Sequence, residues 1–169
     1  MIKKTVLAGG CFWGMEDLIR KLPGVTNTDV VYAGGVIENP TYENHKGYTE
    51  SVLIEYNDEE TNFKNLLDFF FQIHDPSTYN RQGNDIGESY KSIIFYNDEN
   101  EMSEAKEFIK IVNKSNRWPG PVMTELKKLD MDKVYKAEEY HQDYLIKVPK
   151  GYTCHYVREG GSYLTDSTK

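Results

Sequence analysis

The chain has 169 residues, a formal net charge of −7, 38% hydrophobic residues and 13 tyrosines, enough for one folded domain with a sizeable core. The acidic balance, with no stretch that concentrates Lys and Arg, excludes a phosphate-backbone binder, and no apolar run reaches the length of a membrane span. Met1-Ile2-Lys3-Lys4 lacks the apolar core of a signal peptide, so a cytosolic location is expected.

Residues 5–8 read as a strand that runs into Gly9-Gly10-Cys11-Phe12-Trp13-Gly14. Met15, Leu18, Ile19 and Leu22 then fall at helical spacing, which predicts a helix over 12–22 closed by Pro23-Gly24. Cys11 would stand at the first turn of that helix, where unpaired N–H groups and the positive dipole end favour an anion and lower a thiol pKa. A reactive thiol is one reading of Cys11. The other is a small buried residue at a tight turn, its glycines serving only the backbone. Phe12 and Trp13 must either pack inward or line a pocket.

A second strand is expected over 25–33, stopped by Gly34-Gly35, and a loop follows through Asn39-Pro40-Thr41-Tyr42. In a third strand, over 49–56, Val52, Ile54 and Tyr56 alternate with Ser51, Leu53 and Glu55. Thr61 is the expected N-cap of a helix over 62–73, whose stripe is Phe63, Leu66, Leu67, Phe70 and Ile73. Residues 74–89 form a stretch too long for an idle connection. A strand over 91–96, a helix over 99–113, a weaker strand over 122–126 and a helix over 138–146 complete the pattern. The order βαββαβαβ with antiparallel pairing predicts an α+β, single-domain, ferredoxin-like split βαβ core, with a mixed, largely antiparallel sheet and flanking helices. Residues 1–158 are expected to form one catalytic domain. Residues 159–169, with Gly160-Gly161 and small polar side chains, are expected to form a flexible tail.

Several side chains have two readings. Glu50, opening the third strand among aromatic residues, is either a desolvated general acid or an ordinary solvated carboxylate on an edge strand. Asp85 lies in Gly83-Asn84-Asp85-Ile86-Gly87, where turn chemistry alone explains an Asp, and Tyr90 at a strand start fits a core as well as a site. Glu138-x-x-His141 has the spacing of a di-iron helix, but such sites need a second pair and two further carboxylates. Scattered histidines and two distant cysteines fit no zinc pattern either. No metal and no cofactor are therefore expected, and His141 reads as structural or surface. Cys11 and Cys154 are not expected to form a permanent disulfide in a reducing compartment; if they meet, a transient catalytic disulfide is their role.

Taken together, the segments resemble one family. Gly10-Cys11-Phe12-Trp13-Gly14 is similar to the active-site signature of peptide methionine sulfoxide reductase A. Tyr32-Ala33-Gly34-Gly35, Asn39-Pro40-Thr41-Tyr42, His74-Asp75-Pro76, Asn80 to Asp85, Tyr90-Lys91-Ser92, Ala137-Glu138-x-x-His141-Gln142-x-Tyr144 and Gly151-Tyr152-Thr153-Cys154-His155 follow in family order. The resemblance implies that Cys11 attacks the sulfoxide sulfur and that Phe12 and Trp13 wall the substrate methyl group. It implies that Glu50 donates a proton to the sulfoxide oxygen, that Tyr42 and Tyr90 hydrogen-bond it, and that Asp85 belongs to the same pocket. Cys154 takes the position of a resolving cysteine that forms a disulfide with Cys11, and thioredoxin is the implied reductant. The implied substrate is the S epimer of methionine sulfoxide, free or in proteins. Many relatives carry Gly-His-x-Glu where this chain has Gly47-Tyr48-Thr49-Glu50. Two other functions remain open at this point: a thiol hydrolase pairing Cys11 with His141 or His155, and a non-catalytic aromatic pocket for oxidised or Met-rich peptides. A monomer is the default.

Overall fold

The run Thr5-Val6-Leu7-Ala8 is buried on both sides, as the middle strand of a sheet covered on two faces must be. In the computed structural model, which describes residues 1–164, that strand is β1 (Ile2–Gly9). There follow α1 (Phe12–Ile19), β2 (Val25–Ala33), β3 (Thr49–Asn57), α2 (Phe63–Ile73), the two-residue strands β4 (Arg81–Gln82) and β5 (Asp85–Ile86), and β6 (Ser92–Tyr96). Then come α3 (Glu99–Ser115), β7 (Glu125–Lys128), β8 (Val134–Lys136) and α4 (Tyr144–Lys147).

The main sheet has the order β7-β6-β1-β3-β2-β8. Within it, β6-β1-β3-β2 pair antiparallel, which is the split βαβ core expected from the sequence. The crossover through α3 adds β7 parallel to β6, and β8 closes the other edge against β2. Because strand side chains alternate, Leu7, Val30, Tyr32, Val52, Ile54 and Ile94 face the helices. Val6, Ala8, Val31, Ala33, Ile93 and Phe95 form a smaller cluster on the opposite face.

Tertiary contacts move several expected boundaries. The N-cap of α2 is Asn62, whose side chain accepts from the Asn65 N–H at 2.8 Å; Thr61 still belongs to the preceding turn, its own N–H bonded to the Asn57 carbonyl. The helix expected over 138–146 is broken. Gln142 turns away to bond both backbone groups of Val30, and Asp143 takes a left-handed φ of 52°. What remains is a one-turn 3-10 helix, Glu139–His141, and the short α4. The expected loop over 74–89 is clamped by Gln82, which accepts from the Asp75 N–H and donates to the Asp75 carbonyl.

The flexible tail does not hold as far as residue 164. Asp68 accepts from the Ser162 hydroxyl and the Tyr163 N–H, each at 2.7 Å, and the Arg117 guanidinium lies 3.8 Å from the Tyr163 ring centre. Tyr163 and Leu164 are buried. Composition cannot reveal this, because the ordering groups lie far away in sequence; residues 165–169 lie outside the described residues. Tyr163→Ala is expected to lower the unfolding free energy by about 3 kcal/mol in urea denaturation, the scale for truncating a buried aromatic. A change below about 0.5 kcal/mol would show the docked segment to be incidental.

Candidate active site

The glycines around Cys11 are openings for other segments. Gly10 has φ +99°, and a Cβ there would stand 2.6 Å from the Gln82 side chain. At Gly14 a Cβ would run into the Thr153 hydroxyl and the His155 ring. The loop 74–89 thus closes on one side of Cys11 and the segment 153–155 on the other.

Cys11 is the N-cap of α1 and is 7% exposed. The expectation that the helix start lowers its pKa fails in the resting chain. Burial pushes the thiol up and the neighbouring Glu50 charge adds to that, while the Trp13 N–H only partly opposes them. Glu50 sits on β3, between β1 and β2, so it is not on an edge strand. It is 1% exposed, and its Oε1 accepts from the Phe12 N–H at 3.3 Å. Among the described residues Oε2 has no hydrogen-bond partner. Burial raises the Glu50 pKa to about 8, against the pull of the Phe12 N–H and with a further push from Asp85. At neutral pH, Cys11 and Glu50 therefore both hold their protons.

Tyr42 and Tyr90 come from different loops that are tied together. His45 Nε2 lies 2.8 Å from the Ser89 hydroxyl, and the Gly47 N–H donates to Glu88. Burial and then Glu50 push both phenols above their ordinary range, so each remains a donor. Phe12 is fully buried between Tyr32 and His141, with ring centres 5.7 and 5.2 Å away. The Trp13 indole N–H donates to His141 Nδ1 at 3.0 Å, and the indole stacks on Tyr144 at 3.9 Å.

The Glu138-x-x-His141 spacing, which in the sequence matches half of a metal pattern and also falls in a family segment, has another use. Glu138 accepts from the Tyr32 hydroxyl at 2.7 Å and from the Tyr42 N–H at 2.9 Å, while His141 holds Trp13. One turn of chain thus fixes Tyr32, Tyr42 and Trp13 from behind. The i, i+3 spacing carries the signal, but its partners lie on other elements and cannot be read from it.

Cys154 is half-buried and, like Cys11, free. Its sulfur lies 3.8 Å from Asp85 Oδ2, from the Gln82 carbonyl and from His155 Nδ1. Asp85 also accepts from the Tyr152 hydroxyl at 3.2 Å, and its charge raises the pKa of Cys11, Glu50 and Cys154 alike. The fold therefore gathers all eight residues singled out in the sequence into one region, with Asp85 against the Cys154 thiol and close enough for its charge to act on Cys11.

Two free thiols in one region with a buried acid beside Cys11 fit redox chemistry, and the class of protein that this α+β fold and site define is a thiol oxidoreductase. Comparison with known proteins narrows the class. The model of the peptide methionine sulfoxide reductase family matches residues 3–167, and the chain belongs to that family. It is 53% identical over 156 residues to a peptide methionine sulfoxide reductase MsrA of Nocardia farcinica, covering 92% of this chain and 91% of the relative. Reduced Mxr1 from Saccharomyces cerevisiae superposes with a TM-score of 0.86 at 34% identity, covering 94% of this chain and 93% of that one. A structure of Mxr1 in complex with Trx2 has a TM-score of 0.65 at 26% identity, over 94% and 91%.

Proposed function

We propose that this chain reduces the S epimer of methionine sulfoxide, free or in proteins, to methionine, with Cys11 as nucleophile and Cys154 as resolving thiol. The observation that carries the reading is the buried carboxyl of Glu50 beside Cys11, protonated near neutrality and with one oxygen unpartnered among the described residues. A sulfoxide sulfur is a poor electrophile until its oxygen is protonated or strongly hydrogen-bonded. Glu50 supplies the proton there, and the Tyr42 and Tyr90 hydroxyls help to carry the charge that develops on the oxygen. Phe12 and Trp13 receive the apolar methyl group and exclude water.

Cys11 takes up the oxygen, the S–O bond of the substrate breaks, and methionine leaves. The substrate gains the two electrons that the Cys11 sulfur loses on becoming a sulfenic acid. Cys154 then condenses with that sulfenic acid, releasing water and forming a disulfide. A dithiol of the thioredoxin class restores both thiols, a reading supported by the complex of Mxr1 with Trx2. The cycle needs no bound cofactor, and it suits a monomer in the cytosol, where such reductants are kept reduced.

A thiol hydrolase is disfavoured, because Trp13 takes the accepting nitrogen of His141, and the thiol that faces the bare Nδ1 of His155 is Cys154 and not Cys11. Reduced protein mixed with methionine sulfoxide, without added reductant, is expected to yield one equivalent of methionine and to lose both thiols. Thiol titration and mass spectrometry check this. Unchanged thiols with no methionine would reject the reading.

A further inference from the structure

We propose that His155 is a positioning residue for the second half of the cycle: its bond to the Gly9 carbonyl seats the Cys154 thiol against the oxidised nucleophile. The proposal rests on the reading above, in which Cys154 resolves Cys11. Residues 152–157 form no helix or strand. Tyr152, Tyr156 and Val157 are 42, 60 and 49% exposed, whereas His155 is 5% exposed and is the one buried residue between 151 and 158. Its Nε2 lies 2.7 Å from the carbonyl oxygen of Gly9, two residues before Cys11. A carbonyl only accepts, so Nε2 carries the hydrogen and Nδ1 is bare. Burial keeps the ring neutral, its pKa lowered to about 4.

The ring enters the notch left by two missing side chains. A Cβ on Gly10 would stand 3.4 Å from Nε2, and one on Gly14 would overlap the ring. Cys154 is the next residue back along the chain, its sulfur 3.8 Å from Nδ1. An otherwise irregular segment is thereby pinned to the end of β1, beside the sulfur that its thiol must reach. In the step served, the Cys154 sulfur bonds to the Cys11 sulfur, the S–O bond of the sulfenic acid breaks, and the thiol proton leaves with the hydroxide as water. Pinning raises the effective concentration of Cys154 for that step and does nothing for oxygen transfer from substrate.

Two substitutions separate anchoring from proton transfer. In His155→Gln the amide nitrogen takes the place of Nε2 and keeps the bond to Gly9; in His155→Asn the side chain is too short. Single turnover without reductant is followed by methionine release, thiol loss and capture of sulfenic acid with a cyclic 1,3-dione. All three proteins are expected to release methionine at similar rates. His155→Asn is expected to close the disulfide about tenfold more slowly, accumulating trappable sulfenic acid, while His155→Gln stays close to the parent, the scale of one lost anchoring bond. Equal disulfide rates in His155→Asn and the parent would overturn the proposal. So would a Gln variant as slow as Asn, which would make Nδ1 the working atom. If the parent releases no methionine, it is the underlying function that fails. Should the variants not fold, nitrogen NMR of the parent remains decisive: Nε2 protonated and slowly exchanging supports the anchor, and a proton on Nδ1 overturns it.

Discussion

Cys11→Ser is expected to release no measurable methionine from methionine sulfoxide, a loss on the order of 10⁴-fold or more, as when any enzyme loses its nucleophile. The hydroxyl that replaces the thiol is a far poorer nucleophile toward sulfur, and among the described residues no side-chain base is bonded at this position. Glu50, the nearest acid, is itself protonated. Cys154→Ser should behave differently, releasing one equivalent of methionine and then stopping with Cys11 held as a sulfenic acid. Rapid-quench assays of methionine, with sulfenic acid trapping, distinguish the two. If Cys154→Ser also failed in the first turnover, the thiols would not divide the work between attack and resolution. Cys11 is nearly buried, so a loss of folding must be ruled out as the cause; circular dichroism of Cys11→Ser should match the parent.

The first two-thirds of the fold is legible from local pattern. Alternation along Val52, Ile54 and Tyr56, the stripe on α2 and the punctuation at Pro23-Gly24 and Gly34-Gly35 are local signals, and β2, β3 and α2 lie close to where these place them. The last third is less legible because it is organised from a distance. Gln142 spends its side chain on Val30 of β2, which prevents the expected helix, and Tyr163 is ordered by Asp68 and Arg117. The candidate site residues are picked out by motif resemblance, yet the environments of two differ from what local sequence suggests. Cys11 has a helix start that should lower its pKa, but burial and Glu50 outweigh one N–H. Glu50 lies on an interior strand and not on an edge, because pairing order is not written in the spacing of β3.

Glu50→Gln is expected to slow methionine release by about 10²–10³-fold near pH 7, the usual scale for losing a general acid, and at the same time to stabilise the protein at alkaline pH. Two effects on the rate oppose each other. Removing a carboxylate charge eases ionisation of Cys11, which Glu50 otherwise hinders. The amide, however, cannot give its proton to the sulfoxide oxygen, and at pH 7 Glu50 is mostly protonated, so there is little charge to relieve; the loss of the acid wins. The parent rate should fall as pH rises through about 8, while the variant should be flat there. For stability the sign follows from the protons bound. Between the ordinary carboxyl pKa and about 8 the native state holds a proton that the unfolded chain has released, so native stability falls with pH across that window and is fully kept only below it. Glu16, raised by burial to about 7, adds a fall of the same sign in parent and variant alike. The difference between the two proteins therefore isolates Glu50. It should be small at pH 5 and grow to a few kcal/mol by pH 9 in urea denaturation, since each tenfold change in proton affinity between native and unfolded states is worth about 1.4 kcal/mol. A variant that is slow but no more stable at pH 9 would mean that Glu50 is not held neutral by burial. The acid would then have to be Tyr42 or Tyr90, whose phenols burial likewise keeps protonated.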